Sequence, residues 1–312
     1  MKKELVDSSE PESYYCFYID HIDYEARKIA HEYSTIVDKK TNIVINSDDY
    51  VIVYTCQRIE IYTNKNNNPL KELNLPFRTI SGYFNVLTRL TLICSGTKSQ
   101  LYGEENIYYQ VRSFKERLSE KHPLYLLFTN ALDKSRKIKE DFSFYSNKSY
   151  ENIAISILNK EEKSKSDNLI IIGSGMLARN SIETDEFRAN YKNAIFVTRS
   201  VRNLKKKTKD IKFISIYRIE ELIDDLSSLE SFHCLIATNG LDDKYKTSVF
   251  KLLSSSNCKA IFDLSSKPAF MEGEQFVNYS DLYGVDFTKE AKIHNSALIN
   301  KLIDIEQYMV RN

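Results

Sequence analysis

The chain has no tryptophan, and its 312 residues include only 8 glycines, 5 prolines and 4 methionines. That scarcity excludes collagen-like and linker-type low-complexity architectures and makes any close pair of glycines conspicuous. Charge of one sign is also lacking. Forty-four basic residues stand against 43 acidic ones, a net charge of +1, so no global field marks a nucleic-acid or membrane surface. No apolar run reaches membrane-spanning length, and the opening MKKELVDSSEPESYY has no apolar signal-peptide core. A cytoplasmic protein with no membrane partner is therefore expected. The five cysteines, at 16, 56, 94, 234 and 258, are odd in number and show no metal-ligand spacing. They read as reduced thiols, with no metal site expected.

The length suffices for two domains, and two polar stretches punctuate it. NKNNNPLKELN (64–74) reads as a surface loop, and NKEEKSKSDN (159–168) as a charged connector that precedes a change of pattern. Before the connector, strands are expected around 14–20 and 50–63, mixed with amphipathic helices. One helix is predicted from Gly103 to about Ser119, with Ile107, Val111, Phe114 and Leu118 on one face. After the connector, NLIIIGSGMLARNSIE reads as strand, turn and helix. NAIFVTRS, HCLIATNG and KAIFDLSS add three short apolar strands, the signature of a parallel sheet covered on both faces. A last helix from about Lys289 carries Leu298, Leu302, Ile305 and Met309 on one stripe. That stripe is available to pair two subunits or to fold back on the preceding domain.

The glycine turn carries the first chemistry. Gly173 and Gly175 directly follow a strand, with Ser174 between them, Met176 and Leu177 after them, and Ala178 at the third position of G-x-G-x-x-G/A. The first glycine permits the tight turn, the second lets backbone N–H groups approach a pyrophosphate, and the small third residue lets the helix pack. A dinucleotide site is expected, the alternative being a glycine turn without cofactor. At the end of the next strand stand Thr198, Arg199 and Ser200 where NAD-binding versions carry an acid. A cation and hydroxyls suit a 2′-phosphate, so NADPH is expected over NADH.

VIVYTCQRIEIYT (51–63) places Cys56 inside an otherwise strand-like run. By residue type alone Cys56 is either a small packed thiol or a nucleophile where two strands meet. Beside a following NADP-type domain, the run resembles the glutamyl-tRNA reductase family, whose nucleophile lies in S/T-x-C-N-R-x-E-(I/V)-Y. Here it reads YTCQRIEIY, with Gln57 for the Asn. A second family block, G-L-D-S-x-x-x-G-E-x-Q-I-x-x-Q-V, is similar to GTKSQLYGEENIYYQV (96–111). A weaker third likeness is LFTNALDKSRKIK (127–139).

The resemblance implies an α/β protein in three parts. They are an N-terminal α+β catalytic, substrate-binding domain over 1–158, a Rossmann-type NADPH-binding domain over 159–285, and a short spinal or dimerisation helix over 286–312. It implies attack of the Cys56 thiolate on the glutamyl ester of glutamyl-tRNA, then hydride reduction of the thioester to glutamate-1-semialdehyde, a tetrapyrrole precursor. Arg58 would hold the glutamyl carboxylate. Thr55, Ser99, Glu104 and Gln110 would line the pocket, Glu104 receiving the ammonium group.

Three departures accompany the resemblance. The family has a histidine where this chain has Arg89, and an arginine stabilises an oxyanion but is no base near neutral pH. The family Asp has become Lys98. His21, in a first strand–turn unit, is the histidine candidate for the site, whereas His31, His122, His233 and His294 show no constellation. The chain also stops at Asn312, soon after the family's spinal helix would begin. Lys134, Arg136, Lys137 and Lys139, with Lys205 to Lys207, are read either as phosphate contacts or as solvated faces. Two other functions stay open: the same thioester chemistry on a different acyl donor, or a catalytically silent regulatory paralogue.

Overall fold

The computed structural model describes residues 14–20, 49–55, 58–69, 71, 75–160, 166–207, 212–224, 230–238, 241, 243–265, 270, 279–282 and 284–311. It divides into two compact units, one formed by 1–146 with 295–312 and the other by 147–294.

The first unit is built on an antiparallel sheet of β1 (Tyr15–Asp20), β2 (Tyr50–Thr55), β3 (Arg58–Thr63) and β4 (Arg78–Ser81), in the order β2-β3-β1-β4. The run 50–63 is thus two strands rather than one, with Thr55 paired opposite Arg58. Strand β3 alternates Arg58, Glu60 and Tyr62 with Ile59 and Ile61, and every residue in it is buried. Ile59 and Ile61 join Phe17, Ile19 and Ile52 on one face. On the other face lie Cys16 and Tyr62, under α1 (Tyr83–Cys94), α2 (Asn106–Lys115) and α3 (Tyr125–Asp141). Because side chains alternate along a strand, Arg58 and Glu60 share the helix-covered face with Tyr62. The charged residues therefore point toward the covered side. The helix predicted over 103–119 is shorter, and Glu104 precedes it. Its predicted face holds, with Ile107, Val111 and Leu118 buried and Phe114 packed beside them.

The boundary between units falls at 146/147, where the sequence placed it at 158/159. Helix α4 (Tyr150–Leu158) is capped by the Ser149 hydroxyl, which accepts from the Asn152 N–H at 3.2 Å. Its Tyr150 ring stacks 5.7 Å from Phe287 of the second unit, so the helix belongs to that core rather than to the one before it. The last expected helix is two, α10 (Val285–Ser296) and α11 (Ile299–Arg311). Leu298 and Ile305 pack with Ile138 and Phe144, so the C-terminal stripe folds back into the core of the first unit.

The second unit has a six-stranded parallel sheet: β5 (Asn168–Ile172), β6 (Asn193–Val197), β7 (Ile214–Tyr217), β8 (Phe232–Ile236), β9 (Cys258–Asp263) and β10 (Tyr279–Asp281). Their order is β10-β9-β8-β5-β6-β7. This is the 3-2-1-4-5-6 order of dinucleotide-binding folds, whose ligand crevice lies where the winding reverses, at the end of the first strand. Here that point is the carboxyl end of β5, beside β8. Helix α5 (Met176–Asn180) follows β5, and α6 (Asp185–Asn190), α7 (Val201–Lys207), α8 (Ile219–Asp224) and α9 (Asp243–Leu253) lie between strands among the described residues. His233 is a core residue, its Nδ1 2.7 Å from the Tyr191 hydroxyl. Among the described residues no helix is long and apolar enough to cross a membrane.

Candidate active site

One end of the antiparallel sheet gathers the polar motif. Register puts Thr55 and Asp20 on either side of Arg58. Thr55 and Arg58 are both buried, Arg58 completely. The Arg58 guanidinium donates through Nη2 to the Lys98 carbonyl, whereas Nε and Nη1 have no partner among the described residues. Burying a guanidinium without full pairing is costly. The site therefore holds a cation with unused donors.

The Lys98 carbonyl belongs to a loop that doubles back on itself. Gly96 has a φ of 79°, and a Cβ there would stand 2.8 Å from the Glu104 carbonyl oxygen, so the close crossing requires glycine. The crossing brings Ser99 and Glu104 together. The Ser99 hydroxyl donates to Glu104 Oε1 at 3.1 Å, and the Asn106 N–H donates to Oε2 at 2.5 Å. Burial raises the Glu104 carboxyl above its usual range, against those two hydrogen bonds and the charge of Lys139. Gln110, one turn into α2, has a buried Oε1 with no partner among the described residues. Arg58 and Gln110 are thus both buried polar groups with hydrogen-bonding capacity unused among the described residues.

Arg89, on α1, is differently placed. Its Nη2 lies 2.8 Å from Asp20 Oδ2 and 2.6 Å from Glu60 Oε1, and its guanidinium carbon stands 3.3 Å over the Tyr18 ring. Glu60 also accepts from the Tyr62 hydroxyl. Burial works against the Arg89 charge, but Glu60 above all outweighs it, so the group is held more firmly protonated than a free arginine. It cannot be a base. Arg89 and Lys98 both line a cavity of about 510 Å³ walled by Thr79, Ile80, Ser81, Asn85, Thr88 and Leu92. Lys98 Nζ lies 3.1 Å from Glu306 of α11.

Cys56 and His21 lie outside the described residues. They follow Thr55 and Asp20 in the chain, the last residues of β2 and β1. Of the other cysteines, Cys16, Cys94 and Cys234 are buried, and burial above all holds each thiol well above its ordinary range. They are unsuited to attack as thiolates.

In the second unit the glycine turn fits a dinucleotide. Gly173 has a φ of 127°, and a Cβ there would lie 2.5 Å from the Ala237 carbonyl oxygen. A Cβ at Gly175 would meet nothing within 4 Å, which leaves room for a phosphate against the backbone. Ala178 is fully buried, as close packing of the following helix requires. Ser174, Gly175, Met176 and Leu177 are partly or fully exposed around that space. The Thr198 hydroxyl bonds Ser174 Oγ at 3.1 Å and accepts from the Ser200 N–H at 3.0 Å. It thereby ties the two predicted cofactor stretches together. Beside them is a cavity of about 330 Å³ lined by Thr198, Arg199, Arg218, Ile219, Lys244 and Tyr245 among others. The Arg199 guanidinium lies 5.5 Å from the centre of the Tyr245 ring. Arg218, Lys244 and Tyr245 were not singled out in the sequence, because they come from different elements and share no spacing.

No protein-family model matches the chain. Protein nfe2 of Rhizobium meliloti is 24% identical over 264 residues, covering 80% of this chain and 82% of that protein. The glutamyl-tRNA reductase of Saccharolobus islandicus (strain M.14.25 / Kamchatka #1) is 24% identical over 294 residues, covering 85% of this chain. The chain is a divergent relative of the glutamyl-tRNA reductases. It spans 64% of the length of that reductase. Among solved structures, glutamyl-tRNA reductase from Methanopyrus kandleri aligns over 97% of this chain and 79% of its own, with 16% identity and a TM-score of 0.44.

The structure brings Thr55, Arg58, Ser99 and Glu104 together through the Lys98 carbonyl and the Ser99–Glu104 bond, and it sets Arg89 in a separate ion cluster on the same sheet face. Lys139 is another residue that the sequence misplaced. Lys134, Arg136 and Lys137 are exposed, but Lys139 is buried, so it contacts neither phosphate nor solvent.

Proposed function

We propose that the chain is an NADPH-dependent reductase that takes glutamate from glutamyl-tRNA as a thioester on Cys56 and releases it as glutamate-1-semialdehyde. The observation that carries this is Arg58: a fully buried guanidinium whose Nε and Nη1 have no partner among the described residues, at a strand end two residues after the cysteine in sequence. A substrate carboxylate is the ligand that such a group calls for. Glu104 and Gln110 Oε1 receive the donor's ammonium group, and Thr55 and Ser99 complete the pocket.

The Cys56 thiolate attacks the ester carbonyl, the C–O bond to the tRNA ribose breaks, and the ribose oxygen takes up a proton. Arg89, permanently cationic and already paired with Asp20 and Glu60, neither gives nor takes that proton. His21 is the candidate proton carrier. Gly173 to Ala178 hold the pyrophosphate, and Thr198, Arg199 and Ser200 hold the 2′-phosphate. The nicotinamide, when bound, supplies the hydride that reduces the thioester carbonyl. The C–S bond then breaks and Cys56 leaves as thiolate. A homodimer and a cytoplasmic site of action belong to the same proposal.

The deciding experiment mixes the protein with radiolabelled glutamyl-tRNA in the absence of NADPH. Acid-stable label is expected on the wild type, absent from Cys56→Ala, and released as aldehyde when NADPH is added. Equal labelling of Cys56→Ala would end the thioester mechanism. A second measurement tests the cofactor. Arg199→Ala is expected to weaken NADPH binding by about 10- to 100-fold, the cost of losing a charged hydrogen bond, and to leave NADH within a few-fold. Equal losses for both cofactors would remove Arg199 from the 2′-phosphate.

One observation favours a second reading. Two of the departures from the family pattern, Arg89 and Lys98, line the same cavity. The chain could then perform the same thioester reduction on a different acyl donor, and a panel of charged tRNAs and acyl thioesters in the labelling assay decides between the two.

A further inference from the structure

Lys139 lies in the last turn of α3, and its ammonium group is buried beneath the loop that carries Glu104. Nζ donates to the Gly103 and Glu104 carbonyls, both at 2.9 Å, and lies 3.9 Å from Glu105 Oε1. It also stands 5.4 Å from the centre of the Tyr145 ring. An ammonium has three protons, and a buried one whose nearest carboxylate, the half-exposed Glu105, stands 3.9 Å away is unfavourable unless its surroundings need the charge. The group that needs it is the Glu104 side chain, buried and, among the described residues, bonded to neutral donors: the Ser99 hydroxyl and the Asn106 and Ile107 N–H groups.

We propose that Lys139 is the positioning residue of this pocket: it fixes the Gly103–Glu104 backbone and keeps Glu104 a carboxylate, ready for the ammonium group of the donor. This rests on the pocket assigned above. Lys139 touches no substrate, and it acts through Glu104. Other ionisable groups near Glu104 are the neighbouring Glu105, the Cys94 thiol at the end of α1, and Arg58 of β3, linked through the Lys98 carbonyl.

Burial is the main force pushing the Glu104 carboxyl up, and the Lys139 charge opposes it. Removing the charge therefore moves the carboxyl further up and lowers the carboxylate fraction near neutral pH. In Lys139→Met and Lys139→Gln, the Glu104 carboxyl resonance, followed by carbon-13 NMR in the full chain without substrate, is expected to titrate at higher pH than in wild type. Lys139→Arg is expected to restore it. The glutamine variant keeps an N–H donor for the two carbonyls, so it separates charge from backbone support and stands in if the methionine variant does not fold. In steady-state assays, KM for glutamyl-tRNA in Lys139→Gln is expected to rise about tenfold at pH 7, with kcat less affected, and the deficit to shrink toward pH 9. A Glu104 titration unchanged in Lys139→Gln, or a KM deficit independent of pH, would overturn the proposal. The NMR titration needs no donor. If wild type fails to take label from glutamyl-tRNA, the assignment of substrate falls while the titration still decides the role of Lys139.

Discussion

Replacing Arg58 by methionine is expected to lower kcat/KM for glutamyl-tRNA by about 10²- to 10³-fold while leaving the unfolding free energy within about 1 kcal/mol of wild type. The two halves follow from one observation. The guanidinium is fully buried, yet only Nη2 has a partner, the Lys98 carbonyl, and Nε and Nη1 have none among the described residues. In the free protein its removal orphans one carbonyl but also relieves a buried cation of its desolvation cost, and these oppose one another. In the complex the same removal strands the donor's carboxylate in a dry pocket. Lysine is not a conservative replacement, because a single ammonium cannot reproduce the planar fork and loses its proton more readily when buried. Urea denaturation and steady-state kinetics on the same preparations check both parts. A methionine variant that is destabilised by several kcal/mol would make Arg58 a structural residue and withdraw the main support for the pocket.

The chemistry most legible in the sequence was local. The glycine turn, its small third residue and the Thr198–Arg199–Ser200 strand end all lie within contiguous stretches, and the buried strands around them announce themselves as unbroken apolar runs. Strand β7 did not, because it is an edge strand whose residues are only partly buried or exposed and carry no such run. The break between α10 and α11 was equally hidden. The Asn295 side chain accepts from the Tyr102 N–H and donates to the Gln100 carbonyl, both at 2.8 Å, and the Leu298 N–H turns back to the Asn295 carbonyl. Nothing in the local periodicity of 285–311 records a bond to residues 100 and 102.

Lys139 was misread for a different reason. The run was read as one block of charge, although Lys139 continues the three-to-four spacing of the buried Phe128, Leu132 and Ser135 on that helix. The reading of Arg89 as a substitute for the family histidine was also incomplete. Its partners Glu60 and Asp20 are 29 and 69 residues away in sequence, so only the fold shows that its charge is already engaged.

That engagement sets the opposite expectation for Arg89. Arg89→Met is expected to cost about 3–5 kcal/mol of stability, the penalty for removing one partner of a buried ion pair. Glu60 has no solvent exposure and loses its cation, keeping among the described residues the Tyr62 hydroxyl and a distant Cys16 thiol at 3.9 Å. The Tyr18 ring also loses the guanidinium that stacks on it. Much of the loss is therefore the stranded charge of Glu60 rather than the value of the pair itself. The double variant Arg89→Met with Glu60→Gln should recover a large part of it, because neither residue then carries a charge that needs the other. Chemical denaturation of the two single variants and the double closes the cycle. If Arg89→Met alone falls within about 1 kcal/mol of wild type, the triad does not anchor the sheet end. Arg89 would then be held in place for the cavity it lines, where its charge could meet an oxyanion.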